Sequence, residues 1–307
     1  MYHKSVLLKE SIENLNIKDN GIYVDATLGF AGHSKEILKR IPKGHLYAFD
    51  QDDFAIEKSK EVLKSIANNY TIIRSNFSNM KKELQKKNIT KVDGILFDLG
   101  VSSVQLDFDE RGFSFHKDAK LDMRMDTTSP FSAYNIINEY TYEDLVRILR
   151  EYGEEKYATS IAKNIIKERQ NKKIETTFEL VDIIKKSLPM KAMRDKHPAR
   201  KSFQAIRIEV NHELEVLETA LRQALELLNI NGRICVISFQ SLEDKIVKRI
   251  FNEVATVPKE FINLPYIPEE YLPNYKIISK SITPSKEELT ENYRSHSARL
   301  RVIERIK

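Results

Sequence analysis

Over the first hundred positions, short apolar runs alternate with amphipathic stretches. Ile22-Tyr23-Val24-Asp25-Ala26 reads as a strand, followed by a turn holding Gly29 and Gly32 and a helix from Ser34 to Arg40. His45 to Phe49 predicts a second strand running into Asp50-Gln51-Asp52. Behind it comes a helix that turns Phe54, Ile56, Val62, Leu63 and Ile66 inward. Thr71-Ile72-Ile73 is a third strand, 79–87 a short helix, and Val92 to Phe97 a fourth strand ending at Asp98. Strands that are apolar along their length and separated by helices imply an α/β fold, a parallel sheet covered on both faces.

The alternation then stops. Residues 106–140 are polar, acidic and irregular. Helices are expected over Thr141–Tyr152, opened by Thr141 and Asp144, over Glu154–Gln170, and over Thr176–Leu188, opened by Thr176 and Glu179. A long helix from about Phe203 to Leu228 carries Ile206, Val210, Leu214, Leu217, Leu221 and Leu225 on one face, with Gly232 as its stop. Arg233 to Phe239 resumes the strand pattern, and Ser241-x-x-Asp244 is placed to cap the next helix. The proline-bearing stretch 255–275 reads as a loop. Lys276–Ile282 and Arg299–Ile306 predict a closing antiparallel hairpin. The simplest architecture is one core, residues 1–105 with 206–307, interrupted by a helical insertion over 106–205.

Composition narrows the class. With 41% apolar and 31% charged residues the chain can bury a core, and no apolar run reaches the roughly 20 residues of a membrane helix. The first residues carry no cationic leader with an apolar stretch, so no export is expected and a cytoplasmic setting fits. A single cysteine, Cys235, excludes internal disulfides and multi-cysteine zinc sites; the seven histidines show no ligand spacing, so no metal is expected. Seven of the nine glycines fall between Gly21 and Gly112, which concentrates the demanding turns in the first third. Between Lys185 and Glu209, eight basic residues face two acidic ones, and a second basic cluster closes the chain. Such runs are either solvated faces or a track for a polyanion such as RNA.

Ligands of open parallel sheets bind beyond the carboxyl ends of the strands, and three such ends carry Asp25, Asp50 and Asp98. The turn Thr27-Leu28-Gly29-Phe30-Ala31-Gly32-His33-Ser34 lacks the full Gly-x-Gly-x-x-Gly of a dinucleotide site, with Phe30 in the way. S-adenosylmethionine has no phosphates to seat, and Asp50 suits ribose hydroxyls, a role that would serve NAD too. The pattern fits S-adenosylmethionine better. An NAD-dependent oxidoreductase and a non-catalytic RNA-binding assembly factor remain the rivals.

Longer segments carry a resemblance. They include Tyr23-Val24-Asp25-Ala26-Thr27-Leu28-Gly29 with Gly32-His33-Ser34, Phe49-Asp50-Gln51-Asp52, and Asp98-Leu99-Gly100-Val101-Ser102-Ser103-x-Gln105-Leu106-Asp107. Further on stand Arg111-Gly112-Phe113-Ser114-Phe115, Leu121-Asp122-Met123-Arg124-Met125-Asp126, His197-Pro198-Ala199-Arg200 and Ser241-Leu242-Glu243-Asp244. Together they resemble the RsmH/MraW family, S-adenosylmethionine-dependent methyltransferases acting on cytosine N4 in small-subunit (16S) ribosomal RNA. The resemblance implies a Rossmann-like class I methyltransferase core. It places the cofactor on Ala31, Gly32 and His33, the ribose on Asp50 and the adenine beside Phe77, with Asp98 and Gln105 completing the pocket. It also makes the insertion the RNA-recognition part, in agreement with the basic run that includes Lys196, His197, Arg200, Lys201 and Arg207. The chain departs from the family pattern at Phe30-Ala31, where more glycine is usual, and at Gln240, where Ser-Phe-His-Ser is typical.

The chemistry selects further candidates. Cytosine N4 is a poor nucleophile because its lone pair is delocalised into the ring, so an acceptor for one N4 hydrogen is needed. Asp98 or a neighbouring carbonyl is the first candidate and Ser102 the second. Methylation at C5 would need a cysteine nucleophile, and Cys235 lies between Ile234 and Val236 inside a strand. A displaced base needs an aromatic wall. Phe113 and Phe115, flanked by Arg111 and Arg124, are either that wall or core residues of the insertion.

Overall fold

The computed structural model describes residues 5–100, 109–193, 197–262 and 265–307. Two compact units emerge, Met1–Gly100 with Leu214–Lys307, and Val101–Glu213. The first unit is built on a seven-stranded sheet. Its strands are β1 (Ile22–Asp25), β2 (His45–Asp50), β3 (Tyr70–Arg74), β4 (Val92–Asp98), β5 (Leu228–Ser238), β6 (Tyr275–Ile282) and β7 (Arg299–Arg305). The spatial order is β3-β2-β1-β4-β5-β7-β6. β1 to β5 run parallel, while β7 lies antiparallel to both β5 and β6. The winding reverses between β1 and β4, so Asp25 and Asp98 end neighbouring strands at the switch point.

The period-two alternation of these strands feeds two cores. Val24, Tyr47, Phe49, Ile95, Phe97 and Val236 face one way, against α10 (Glu213–Leu227) and α11 (Ser241–Ala255). Tyr23, Leu46, Ala48, Leu96 and Cys235 face the other, against α1 (Leu8–Asn14), α2 (Gly32–Leu38) and Leu63 of α3 (Asp53–Lys64). Burial on both faces explains why the central strands β1, β2 and β4 are apolar along most of their length. Truncating a fully enclosed ring such as Phe97 to Ala would cost about 3–5 kcal/mol. After β3 come a 3₁₀ turn at Phe77–Asn79 and α4 (Met80–Gln85).

In the second unit lie α5 (Ala133–Glu139), α6 (Tyr142–Glu151), α7 (Ala158–Asn171), α8 (Thr177–Ser187) and α9 (Arg200–Asn211). Thr141 caps α6 by accepting the Asp144 N–H, and Thr176 with Glu179 closes a capping box on α8. α12 (Lys286–Glu291) belongs to the first unit and precedes β7.

Three features differ from the sequence pattern. Part of the stretch read as irregular, 133–139, is helical. It buries Ala133, Ile136 and Ile137, and Asn138 exchanges hydrogen bonds with both backbone groups of Ile174 at 2.8 and 3.0 Å. Those tertiary contacts compensate for weak local propensity. The expected helix over 203–228 is two helices, broken at His212 in the left-handed region (φ 49°). Arg207 grips Glu213 across the break with two hydrogen bonds, at 2.7 and 2.8 Å. The chain therefore returns to the first unit at Leu214 rather than at 206, and Gly232 sits inside β5 instead of stopping a helix. Finally, Gln240 rather than Ser241 is the N-cap of α11. The Glu243 carboxylate accepts the N–H groups of Phe239 and Gln240, while Asp244 pairs with Arg301.

Candidate active site

The turn after β1 is stitched to both neighbouring strand ends. Thr27 accepts the Asp98 N–H on its hydroxyl at 2.7 Å, and the Gly29 N–H donates to Asp50 Oδ2 at 2.9 Å. Gly29 (φ 49°) and Ala31 (φ 59°) are both left-handed, bending the chain around Phe30 into the N-terminus of α2. A Cβ at Gly32 would run into the Ser5 side chain. The Phe30 ring lies edge-on to Phe54, centroids 6.5 Å apart.

The three carboxylates differ in what they do. Asp25 is 1% exposed; it accepts the Ser34 hydroxyl at 2.7 Å and the Thr27 N–H at 3.1 Å. Burial pushes its pKa up against those hydrogen bonds, and both oxygens serve to hold the turn. Asp50 accepts Gly29 on one oxygen and the Asp52 N–H on the other, each at 2.9 Å. Burial raises its pKa to about 6 in spite of them. Each Asp50 oxygen has a second lone pair for a hydroxyl donor.

Asp98 is the unusual one. Though 27% of its side-chain surface is open, Oδ1 is enclosed and has no hydrogen-bond partner among the described residues. Desolvation, reinforced by the negative charges of Asp25 and Glu243, raises its pKa to about 8. The His33 Nδ1 lies 3.6 Å from its Oδ2, and the His33 Nε2 lies 3.2 Å from the Val6 carbonyl. The ring of His33 is thus directed at Asp98 and at the backbone just before α1, which leaves its own backbone as the part facing the turn after β1. Phe77 packs edge-on against Phe97 with centroids 5.8 Å apart, and Asn76 beside it caps the Ser78 N–H and bonds Gln51. Gln240 gives its amide N–H to Glu243 at 3.0 Å; its enclosed Oε1 has no hydrogen-bond partner among the described residues. Nothing in the spacing around Glu243 revealed its contribution to this rim. Ser102, Gln105 and Lys196 lie outside the described residues.

Residues expected in the insertion divide by role. Phe113 is 6% exposed, inside the helical core with Arg111 over its ring. It is a core residue and offers no open face to a base. Phe115 stacks on His197, centroids 4.4 Å apart and 19° between planes, with His116 and Phe203 around them. Arg124 is committed to Asp122 and to the carbonyls of Thr127 and Ser129, and Arg111 to the carbonyls of Arg124 and Met125. Arg207 is held by Glu213, the two side chains 17% and 10% exposed. Arg200 and Lys201 are exposed at the start of α9, Lys201 reaching the Glu154 carbonyl.

Cys235 is fully buried and its thiol is pushed up to about 12 by desolvation. Among the described residues no group of three or more His, Cys, Asp or Glu is arranged to hold a metal ion, and no helix is long and apolar enough to cross a membrane. A groove of 410 Å³ along α11 and β6, lined by Lys248, Phe251, Ile277 and Lys280, contains none of the three aspartates.

A family model described as the MraW methylase family matches residues 1–306. The chain belongs to that family. This methylase is 54% identical over 307 residues to the ribosomal RNA small subunit methyltransferase H of Exiguobacterium sibiricum, covering 99% of the chain and 98% of the relative. It is 51% identical over 309 residues to the protein of that name from Limosilactobacillus fermentum, covering 99% and 98%. The crystal structure of an rRNA methylase from Streptococcus thermophilus superposes with a TM-score of 0.44 at 12% identity, covering 98% of this chain and 94% of that one. Family membership favours neither an oxidoreductase nor a non-catalytic assembly factor.

Proposed function

We propose that this methylase transfers a methyl group from S-adenosylmethionine to the exocyclic N4 amine of a cytidine in small-subunit ribosomal RNA, in the bacterial cytoplasm. The observation that carries the reading is the enclosed Oδ1 of Asp98, which has no hydrogen-bond partner among the described residues, at the switch point of the sheet. A buried acceptor without a donor is costly, by about 1–3 kcal/mol, and an N–H from an incoming amine would relieve it.

The residues present fit the cofactor. The backbone of Ala31, Gly32 and His33 would hold its amino-acid part, Asp50 its ribose, and Phe77 its adenine, with Gln105 completing the pocket. Bound there, S-adenosylmethionine supplies an electrophilic methyl on a sulfonium. The chain's own contribution is positioning and electrostatics. Asp98 Oδ1 accepts an N4–H and lets the nitrogen pyramidalise, so that its lone pair leaves the ring. Ser102 is the second candidate for that task. The insertion, residues 106–205 as read from the sequence, recognises the RNA. Phe115 and His197 stand as a stacking surface there, and Arg200, Lys201 and Lys196 as phosphate contacts.

An exocyclic amine rather than ring C5 is favoured because the one cysteine is buried as a thiol. The test is transfer of labelled methyl to naked small-subunit RNA and to assembled subunits, followed by nucleoside analysis. N4-methylcytidine is expected, with Asp98→Ala lowering turnover about 10²- to 10³-fold at saturating cofactor. Label on C5, or full turnover in Asp98→Ala, would overturn the assignment.

A further inference from the structure

The environment of Asp98 sets a difficulty for an acceptor. Enclosure and the charges of Asp25 from β1 and Glu243 from α11 favour its protonated form, with a pKa of about 8. A protonated carboxyl donates from one oxygen and accepts on the other. Which oxygen carries the proton decides whether the group serves an amine or repels it.

His33 resolves the choice. Its ring is 4% exposed, and Nε2 lies 3.2 Å from the carbonyl of Val6. A carbonyl can only accept, so Nε2 carries the hydrogen and, in the neutral ring, Nδ1 is the acceptor. Nδ1 faces Oδ2 of Asp98 at 3.6 Å, whereas Oδ1 is the enclosed oxygen without a partner among the described residues. The two oxygens are therefore inequivalent before any ligand arrives.

We propose that His33 is a positioning residue that holds the proton of Asp98 on Oδ2, keeping Oδ1 bare to accept a hydrogen bond from the exocyclic amine of the target base. Once N4 carries the methyl group and the sulfur has left as a thioether, the strongly acidic N4 gives its surplus proton to water. The proposal rests on the amine reading given above. At 3.6 Å the pair is longer than a hydrogen bond, and such contacts commonly tighten when the reacting complex assembles. The arrangement lets an enclosed, neutral carboxyl act as an acceptor, with the Val6 carbonyl, in the turn that precedes α1, setting its polarity. It also makes an asparagine at position 98 a close mimic, its NH₂ facing Nδ1 and its carbonyl oxygen in the place of Oδ1.

Infrared spectroscopy of the ligand-free protein and the pH dependence of turnover test the pair. At neutral pH the wild type is expected to show a protonated-carboxyl band that Asp98→Asn lacks, and His33→Phe to shift that band as the imidazole contact is lost. Turnover of His33→Phe should be reduced below about pH 8, where the proton is free to sit on Oδ1, and should recover as pH rises through about 8 and both oxygens become bare acceptors, a rise the wild type lacks. His33→Asn, whose amide oxygen overlays Nδ1, should move both readouts back toward wild type. Asp98→Asn should keep more turnover than Asp98→Ala. A His33→Phe protein with the wild-type band and pH profile would overturn the proposal, whatever its stability. If the band behaves as expected but no methyl reaches N4 at any pH, the reaction assignment falls while the His33–Asp98 pairing stands.

Discussion

The backbone N–H of Gly29 donates to Oδ2 of Asp50 at 2.9 Å, so the left-handed turn after β1 is anchored on the end of β2. The Asp52 N–H takes the other oxygen at the same distance. A carboxylate is needed because both partners donate. Asp50→Asn must turn its NH₂ toward one of the two N–H groups, leaving a donor unpaired at a cost of about 1–3 kcal/mol. Chemical denaturation should show that loss. Calorimetry with S-adenosylhomocysteine should show affinity down at least about tenfold; unchanged affinity would remove Asp50 from the cofactor site.

The raised carboxyls give the ligand-free protein a distinct pH dependence. An unfolded aspartate titrates near pH 4, whereas folded Asp50 titrates at about 6 and Asp98 at about 8. Below about pH 4 both are protonated in either state, and the full contribution to stability is present. As pH rises through 6 and then 8 the folded protein must ionise enclosed groups, so stability falls. Thermal unfolding should follow that course. Asp98→Asn should exceed wild type by a few kcal/mol at about pH 9 and by little at about pH 4. A wild type that grows more stable from about pH 5 to 9 would contradict the assignment.

Much of this was visible in the sequence, for identifiable reasons. Strands apolar on both faces, such as Val92 to Phe97, follow from burial between two layers, and the positions of Asp25, Asp50 and Asp98 follow from the strand ends. Their division of labour does not. In the sequence Asp25 looks equivalent to Asp98, but it is bound to Ser34 and Thr27, contacts that exist only once the turn has closed. The orientation of His33 depends on the Val6 carbonyl, far away along the chain. The break at His212 hides inside an unbroken apolar period, because Arg207 and Glu213 rather than a glycine or proline fix it. Phe113 illustrates the same limit, since periodicity places a ring on an element without saying which layer covers it.

In the insertion, the structural arginines and the solvent-facing basic residues should separate experimentally. Arg207→Gln removes one partner of a partly enclosed bidentate pair and should destabilise the protein by about 1–3 kcal/mol, with RNA affinity per folded molecule little changed. Arg200→Ala with Lys201→Ala should leave the unfolding midpoint alone. If both residues meet phosphates, that double variant should weaken RNA binding and reduce the slope of log affinity against log salt by about one to two units. The slope is the decisive reading, since a fold defect lowers the active fraction without altering it. An unchanged slope would take the start of α9 out of the RNA surface.

Cys235 tests the choice between ring carbon and exocyclic nitrogen. Attack on C6 of a pyrimidine, the route to C5 methylation, requires a thiolate. Here the sulfur is enclosed within β5, 3.9 Å from the Ser11 carbonyl, with its pKa up at about 12. At pH 7 the thiolate fraction is then about 10⁻⁵, and the strand offers no approach for a base. Cys235→Ala removes a buried sulfur and should cost roughly 1 kcal/mol or somewhat more in stability. Methyl transfer should remain within about twofold of wild type when compared at equal folded concentration. Iodoacetamide should leave the native protein both unlabelled and active. Loss of turnover in a folded Cys235→Ala protein would make the sulfur a participant and move the target from the amine to the ring.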